Sequence, residues 1–291
     1  MSNTRNLQGT QLAFIGCGVM AEAIIAGLLN NQLIKPEQIV GSHPRSERRE
    51  ELEQKYGIRL VENNAEAVSL VQSPINVPAT DPSSSIVFLT VKPQRLGAIL
   101  SQLKGTLRKA QLVVSIVAGA RIETLIKDLM HESMVRAMPN TPTQVGEGMT
   151  VWTTTPAVTE AQQMQIRTIL GALGRELHVE EEKMIDMATA LSATGPTYTF
   201  LMMEALIDAG VHLGFSRHVA QELVLQTMLG SIIFARESMK HPAELRNMVT
   251  SPGGTSAEAI YQMEKGSLRT VLSKAVWAAY QRTITLGKKV D

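Results

Sequence analysis

The feature that most constrains this chain is an apolar run that breaks into glycine. Leu12-Ala13-Phe14-Ile15 leads into Gly16-Cys17-Gly18-Val19-Met20-Ala21, then Glu22-Ala23-Ile24-Ile25-Ala26-Gly27-Leu28-Leu29. A short stretch apolar on both faces suits a buried strand, and the run after it has helical periodicity. Gly16 permits the tight turn between them, Gly18 lets the backbone approach a pyrophosphate, and Ala21 is the small residue needed where helix packs on sheet. The helix N-terminus, at roughly half an elementary positive charge, favours a bound anion. Cys17 reads as a small apolar filler, not a catalytic thiol.

Strand and helix keep alternating beyond this turn. A second strand, Gln38-Ile39-Val40-Gly41, ends where an NAD enzyme carries Asp or Glu for the ribose 2′-hydroxyl, about twenty residues past the fingerprint. Here the tip is Ser42-His43-Pro44-Arg45-Ser46-Glu47-Arg48-Arg49. With no carboxylate at the tip, Ser42 and Arg45, with Arg48 also within reach, suit a 2′-phosphate, which predicts NADPH as the cofactor, NADH being possible. Arg48 and Arg49 are expected to begin a solvated helix face.

A third strand lies at Ile58–Val61 and a helix begins at Asn64, before a proline-bearing surface insertion at Gln72–Ser84. Ile86–Val91 is a strand ending in Lys92-Pro93-Gln94, and Leu112–Val117 another ending in Ala118-Gly119. Small residues at these ends leave room for a flat ring, so they should border the adenine-ribose and nicotinamide portions of the cofactor. Lys92 is open as a base or as a structural neighbour of the phosphates. Strands at Met134–Met138, Gly146–Trp152 and Glu176–Val179, with a helix over Thr159–Leu173, complete an α/β fold. It is a Rossmann-type doubly wound parallel sheet, a dinucleotide-binding domain over residues 1–179.

Residues 180–291 show helical periodicity and no strand, which predicts an all-helical domain. Ser192-Ala193-Thr194-Gly195-Pro196 caps and breaks one helix and starts another. The run Thr197–Leu213 is apolar nearly all round, with Glu204, Asp208 and His212 as its ionisable groups, so helices of a second subunit are expected to cover it.

The last distinctive stretch is Val249-Thr250-Ser251-Pro252-Gly253-Gly254-Thr255-Ser256-Ala257-Glu258. Glycines bare the backbone before a new helix, and the Thr and Ser hydroxyls stand beside it. The stretch is a seat for a small carboxylate or phosphate, or an ordinary capped helix start.

Charge and cysteine content exclude whole classes of partner. With 28 basic and 27 acidic residues, a formal charge of +1 gives no attraction to nucleic acid or an anionic membrane. A single cysteine forms no internal disulfide, and no His/Cys cluster has metal spacing. No stretch approaches the roughly 20 apolar residues of a membrane span, and no leader is visible, which predicts a cytoplasmic protein.

Taken together, these residues resemble the pyrroline-5-carboxylate reductase family. The resemblance rests on Ile15 to Ala21, Val91-Lys92-Pro93-Gln94, Ser115 to Gly119, Arg136 to Pro142, Ser192 to Tyr198, Asp208-Ala209-Gly210, and His241 to Leu245 leading to Ser251-Pro252-Gly253-Gly254-Thr255. It implies NAD(P)H-dependent reduction of a cyclic imine acid, 1-pyrroline-5-carboxylate, to proline. It also implies a helical domain, over residues 180–291, for substrate binding and dimerisation, in a homodimer with interlocked helices that often builds a decamer. Cofactor contacts carried over from the family fall on Gly16, Cys17, Gly18, Val19, Met20, Ala21, Ser42, Asn64, Val91, Lys92, Pro93, Ala118 and Gly119. Substrate contacts fall on Val249, Ser251, Gly254, Thr255 and Ser256, with the substrate carboxylate expected on the Gly253 and Gly254 amides. Ser256 stands where the family usually has Thr, and its hydroxyl is the expected catalytic group, hydrogen-bonding or protonating the imine nitrogen. Residues 72–84 also exceed the family's usual length.

Two rival readings remain. A 3-hydroxyisobutyrate-type hydroxyacid dehydrogenase shares the two-domain plan but needs a lysine on its first long second-domain helix, and between Glu180 and Phe215 the chain offers only Lys183. A non-enzymatic nucleotide sensor could keep the fingerprint while losing the late loop, which is intact here.

Overall fold

The structure, a computed structural model, describes Leu7, residues 9–71 and residues 85–287. The insertion expected at Gln72–Ser84 and most of the polar amino-terminal tail lie outside the described residues. Eight strands, β1 (Gln11–Ile15), β2 (Ile39–Ser42), β3 (Arg59–Val61), β4 (Ser85–Leu89), β5 (Leu112–Ser115), β6 (Met134–Met138), β7 (Gly148–Thr154) and β8 (Gly174–His178), form one sheet. Their order is β3-β2-β1-β4-β5-β6-β7-β8.

The alternation of side chains along each strand divides the apolar run of β1 between two cores. Leu12 and Phe14 join one cluster with Ile24, Ile25 and Leu28 of α1 (Val19–Asn30), Leu52 of α2 (Ser46–Tyr56), and Ile166 and Ile169 of α6 (Glu160–Gly171). Ala13 and Ile15 join the other with Val68 of α3 (Asn64–Leu70), Leu96 and Leu100 of α4 (Pro93–Leu103), and Leu125 of α5 (Ile122–Leu129). Helices therefore cover both faces, the doubly wound plan expected from unbroken apolar strands. Phe14 stacks on Phe88 of β4 at 4.9 Å between ring centroids, fixing the register of the two central strands.

The sheet is parallel from β3 to β6, but β7 runs antiparallel to β6. Only residues 139–147 join these two strands, too short a segment for a helical crossover, so the chain turns back. β8 follows α6 and pairs parallel with β7.

After β8 every described element is helical. α7 (Lys183–Ala188) passes into a π-helical turn at Thr189–Ala193, and then come α8 (Gly195–His212), α9 (Arg217–Ser238), α10 (Pro242–Met248), α11 (Thr255–Lys265) and α12 (Leu268–Gly287). The chain divides into two compact units, residues 1–194 with 279–291, and residues 195–278.

In the second unit Gly210 lets α8 approach α9, since a Cβ there would lie 2.9 Å from that of Ala220. Ala220 is the one buried residue among α8 to α11, while Phe200, Leu206, Leu223, Leu229, Ile232 and Trp277 are each about half exposed or more. Helices that expose so many large apolar side chains with almost no buried core of their own suit another surface.

Candidate functional site

At the end of β1 the chain folds into a turn made almost wholly of backbone. The Gly16 and Cys17 amides both donate to the Ser42 carbonyl, at 3.2 and 2.9 Å, and the Gly18 amide donates to the Gly16 carbonyl at 2.8 Å. Gly16 sits at φ +89°, where other residues are strained, and a Cβ on it would lie 2.5 Å from Val91 Cγ1. Thr90 closes the turn from beside it: its hydroxyl reaches the carbonyls of Ile15 and Gly16, each at 2.9 Å. Gly18 starts α1 with no side-chain cap, and open space stands where its Cβ would be. The Val19, Met20 and Ala21 amides of the first helical turn, the positive helix end and the vacant approach together suit an anion such as a pyrophosphate.

Cys17 behaves as a filler. Its thiol is buried against Gly41, where a Cβ would collide with the sulfur, and burial pushes its pKa up to about 12. A thiolate nucleophile is thereby excluded near neutral pH. Met20 accepts a hydrogen bond from the Thr143 hydroxyl at 3.4 Å, and Val19 is exposed at the mouth of the turn.

The tip of β2 brings Ser42 and Asn64 together. Ser42 is fully buried and donates its hydroxyl to Asn64 Oδ1 at 2.7 Å, while Asn64 Nδ2 donates to Gln102 Oε1 at 2.7 Å. The three nearby arginines separate into two kinds. Arg48 was expected on a solvated face, yet its side chain is only 14% exposed: it pairs with Glu22 and with Glu51 (2.8 Å), and its Nε donates to the Cys17 carbonyl at 3.3 Å. Arg49, expected beside it, instead donates to the carbonyls of His43 (2.7 Å) and Pro44 (3.1 Å) and faces Glu62 at 3.8 Å. The physical reason is the same for both. Carbonyls and carboxylates brought close by α1, the β2 tip and the β3–α3 turn replace water as partners. Arg45 alone is exposed and has no side-chain partner among the described residues, its amide donating to His43 Nδ1 at 3.2 Å. Burial, with the charges of Arg45, Arg48 and Arg49, holds the His43 pKa below its ordinary value.

Glu22 anchors this corner. Burial would raise its carboxyl, but hydrogen bonds from Lys55 (2.8 Å), Arg48 and Tyr56 (2.9 Å) prevail and lower it to about 2.

On the other side of β1, Val91, Lys92 and Pro93 form the β4–α4 turn, with Lys92 exposed as the residue before α4. Ala118 and Gly119 follow β5, Gly119 at φ +77°. Behind them lies a group that sequence patterns missed. Arg136, on β6 and 1% exposed, pairs with Glu182 at 2.7 Å and with Asp186 of α7 at 2.5 Å. Asn140, just past β6, accepts from the Met149 amide at 2.8 Å and donates to the Ser192 carbonyl in the π-helical turn at 3.4 Å. A charge inside an apolar strand and an Asn in a turn were the visible signals, but their partners lie about fifty residues away, beyond any local pattern.

In the second unit, Val249 is exposed and Thr250 donates its hydroxyl to the Arg246 carbonyl at 2.7 Å. Gly253, at φ +70°, turns the chain so that the Gly254 amide donates to the Ser251 carbonyl at 3.0 Å. The Gly254 amide, expected to hold a carboxylate, is thus committed within the loop. A Cβ on Gly254 would lie 2.5 Å from Ser251 Oγ, so glycine is needed for the loop to close. The Ala257 and Glu258 amides both return to the Gly254 carbonyl. Among the described residues, the Thr255 and Ser256 amides and hydroxyls are left without partners at an α11 start that has no side-chain cap. The residues expected to meet the cofactor thus gather at the carboxyl ends of the first unit's parallel strands, with Arg45 on the exposed rim, and the loop expected to seat an anion belongs to the second unit.

Comparison with known proteins follows the same division. Residues 182–286 match the family model for pyrroline-5-carboxylate reductase dimerisation, and residues 11–119 match that for coenzyme F420-dependent NADP oxidoreductases. A pyrroline-5-carboxylate reductase of Synechocystis sp. is 39% identical over 279 residues, covering 96% of this chain and 99% of the relative. One from Pseudomonas aeruginosa is 38% identical over 281 residues, covering 96% and 98%. The crystal structure of Plasmodium falciparum pyrroline carboxylate reductase with NADP bound superposes with a TM-score of 0.83 at 31% identity, covering 95% of this chain and 98% of that one.

Proposed function

The chain belongs to the pyrroline-5-carboxylate reductase family, and from that premise we propose which of its residues carry the reaction. It is an oxidoreductase that reduces L-1-pyrroline-5-carboxylate to L-proline, the last step of proline biosynthesis, with NADPH. The hydroxyacid-dehydrogenase and sensor readings lose their ground against near full-length relatives that share one activity name.

The residues present fit a dinucleotide, because Gly18 leaves open space before an uncapped helix and Gly16 sits in the left-handed region. Gly16 to Ala21 would hold the pyrophosphate. The Ser42–Asn64 pair and Arg45 would hold the adenosine ribose and its 2′-phosphate. With β2 on one side of β1 and β4 and β5 on the other, the nicotinamide falls to Val91–Pro93 and Ala118–Gly119. Bound there, NADPH supplies a hydride.

The remaining work is done by the late loop. The Thr255 and Ser256 amides take the substrate carboxylate, aided by the positive end of α11. Val249, Ser251, Gly253 and Gly254 shape the seat, and the Ser256 hydroxyl hydrogen-bonds the imine nitrogen and supports its proton as the charge there disappears. An imine already accepts hydride well, so orientation and charge placement suffice and no strong base is required.

We assign residues 1–179 to the cofactor domain and 180–291 to substrate binding and dimerisation. The exposed apolar helices suit a homodimer of interlocked helices, itself a unit of a decamer. Among the described residues no helix is long and apolar enough to cross a membrane, and we place the enzyme in the cytoplasm. The observation that carries the site assignment is the pair of unpartnered hydroxyls at the open α11 start. Loss of NADPH absorbance on mixing with pyrroline-5-carboxylate tests the activity. Ser256→Ala should lower kcat/KM by about 10²-fold, as removal of an electrostatic stabiliser does, with Ser256→Thr retaining it; a change of only a few-fold in the alanine variant would refute the role.

A further inference from the structure

Helix α12 begins in the second unit, and its last turns belong to the first, where Thr283 and Gly287 are buried. At its end two backbones meet with no side chain between them. A Cβ built on Gly287 would lie 2.9 Å from the Gly119 carbonyl oxygen, and one built on Gly119 would lie 2.9 Å from the Gly287 amide nitrogen and 3.2 Å from Leu286 Cβ. Gly119 needs to be glycine for a second reason, its φ of +77°. Gly287 has no such reason. It is helical and outside the left-handed region, a conformation every residue adopts, and glycine in a helix costs about 1 kcal/mol against alanine. What its missing side chain achieves is the approach of the Ala118–Gly119 segment.

We propose that Gly287 is a positioning residue for hydride transfer: the end of α12 backs the Ala118–Gly119 turn and sets the place of the wall that the nicotinamide meets. This rests on the assignment of Ala118–Gly119 to the nicotinamide. The last turn of α12 thus lies against the backbone of the turn assigned to the nicotinamide. Gly287 touches neither substrate nor cofactor and acts through Gly119.

The magnitude follows from the gap. An alanine Cβ at 2.9 Å from a carbonyl oxygen must retreat by about 0.5 Å to reach ordinary contact. Misplacement of reacting groups by 1 Å costs on the order of 10²-fold, so Gly287→Ala should lower kcat by about 10-fold.

Two binding measurements separate positioning from general damage. NADPH binding, followed by its fluorescence, should weaken several-fold, whereas binding of 2′,5′-ADP, which lacks the nicotinamide half, should stay at the wild-type value. Leu286→Ala removes packing from the same turn without inserting an atom and should shift NADPH binding in the same direction, which keeps the test available if Gly287→Ala does not fold. Thr285→Ala, on the exposed side of the same turn, should change nothing.

Gly119→Ala in the same assays checks the underlying assignment. If it weakens NADPH binding while the Gly287 and Leu286 variants match wild type, the proposal is overturned and the nicotinamide assignment stands. If Gly119→Ala also leaves NADPH binding unchanged, both fall. Equal loss of NADPH and 2′,5′-ADP binding in the Gly287 variant would overturn positioning in favour of general destabilisation.

Discussion

Arg45 and Arg48 lie three residues apart and are expected to answer different questions about the cofactor. Arg45 is exposed and has no side-chain partner among the described residues, while Arg48 is held between Glu22, Glu51 and the Cys17 carbonyl. If Arg45 takes the 2′-phosphate, Arg45→Ala removes one charge-assisted hydrogen bond, worth about 1.5–3 kcal/mol, or roughly 10- to 150-fold. Solvent and salt screen an exposed pair, which places the loss at the low end, about 10-fold in kcat/KM with NADPH. NADH has no phosphate there, so its kcat/KM should stay constant and the NADPH/NADH ratio should fall by the same factor. The wild-type ratio should also shrink as ionic strength rises.

Arg48→Ala acts on the glycine turn that both cofactors share, so both activities should fall together and leave the ratio where it was. Steady-state rates with each cofactor, at saturating pyrroline-5-carboxylate and two salt concentrations, decide the matter. An unchanged ratio in Arg45→Ala, or a fall in the ratio confined to Arg48→Ala, would refute this division of labour.

Three further outcomes follow from contacts elsewhere. Gly41→Ala drives a methyl into Cys17 Sγ and lies 2.7 Å from Leu60 Cδ1, so it should destabilise by about 1–3 kcal/mol, with Cys17→Ala relieving part of the loss in a double-mutant cycle of thermal unfolding; additive effects would show that the clash is absorbed elsewhere. Arg136→Met leaves Glu182 and Asp186 facing an apolar strand and should cost about 3 kcal/mol, the low end for a broken buried pair because Glu182 is 32% exposed; a loss below about 1 kcal/mol in chemical denaturation would mean the triad contributes little. Because the Glu22 carboxyl is depressed from 4.5 to about 2 in the folded chain, its stabilisation is complete above pH 4.5 and is lost as pH falls through 2. The difference in melting temperature between wild type and Glu22→Gln should shrink over that interval, and a constant difference would contradict it.

What could be read from the chain alone divides by the range of the interaction. The fingerprint and the parallel sheet were legible because Leu12–Ile15 and Ile86–Leu89 are apolar on both faces, a pattern few other settings allow. The reversal of β7 was not, since strand composition carries no direction and only the short segment 139–147 decides it. The late loop was legible as a glycine turn opening a helix, yet which of its amides remain open was not. Gly254 turns its N–H inward to Ser251 and leaves the Thr255 and Ser256 amides open, a choice made by the dihedrals of Gly253 rather than by residue type.

The same limit explains Arg48 and Arg49. Their spacing on α2 is that of an ordinary solvated helix, but burial depends on Glu22 and on carbonyls supplied by other elements. The helical unit shows the converse case. A largely apolar α8 told from sequence that something must cover it, and with Ala220 as the lone buried residue of α8 to α11 that demand is unmet among the described residues. Fully burying each exposed Leu or Phe contributes about 1.5–3 kcal/mol, so in the homodimer proposed above association and the folding of this unit would be one equilibrium. Its melting temperature should therefore rise with protein concentration, and a concentration-independent transition in a chain shown to be monomeric would mean that these helices hold together without a partner.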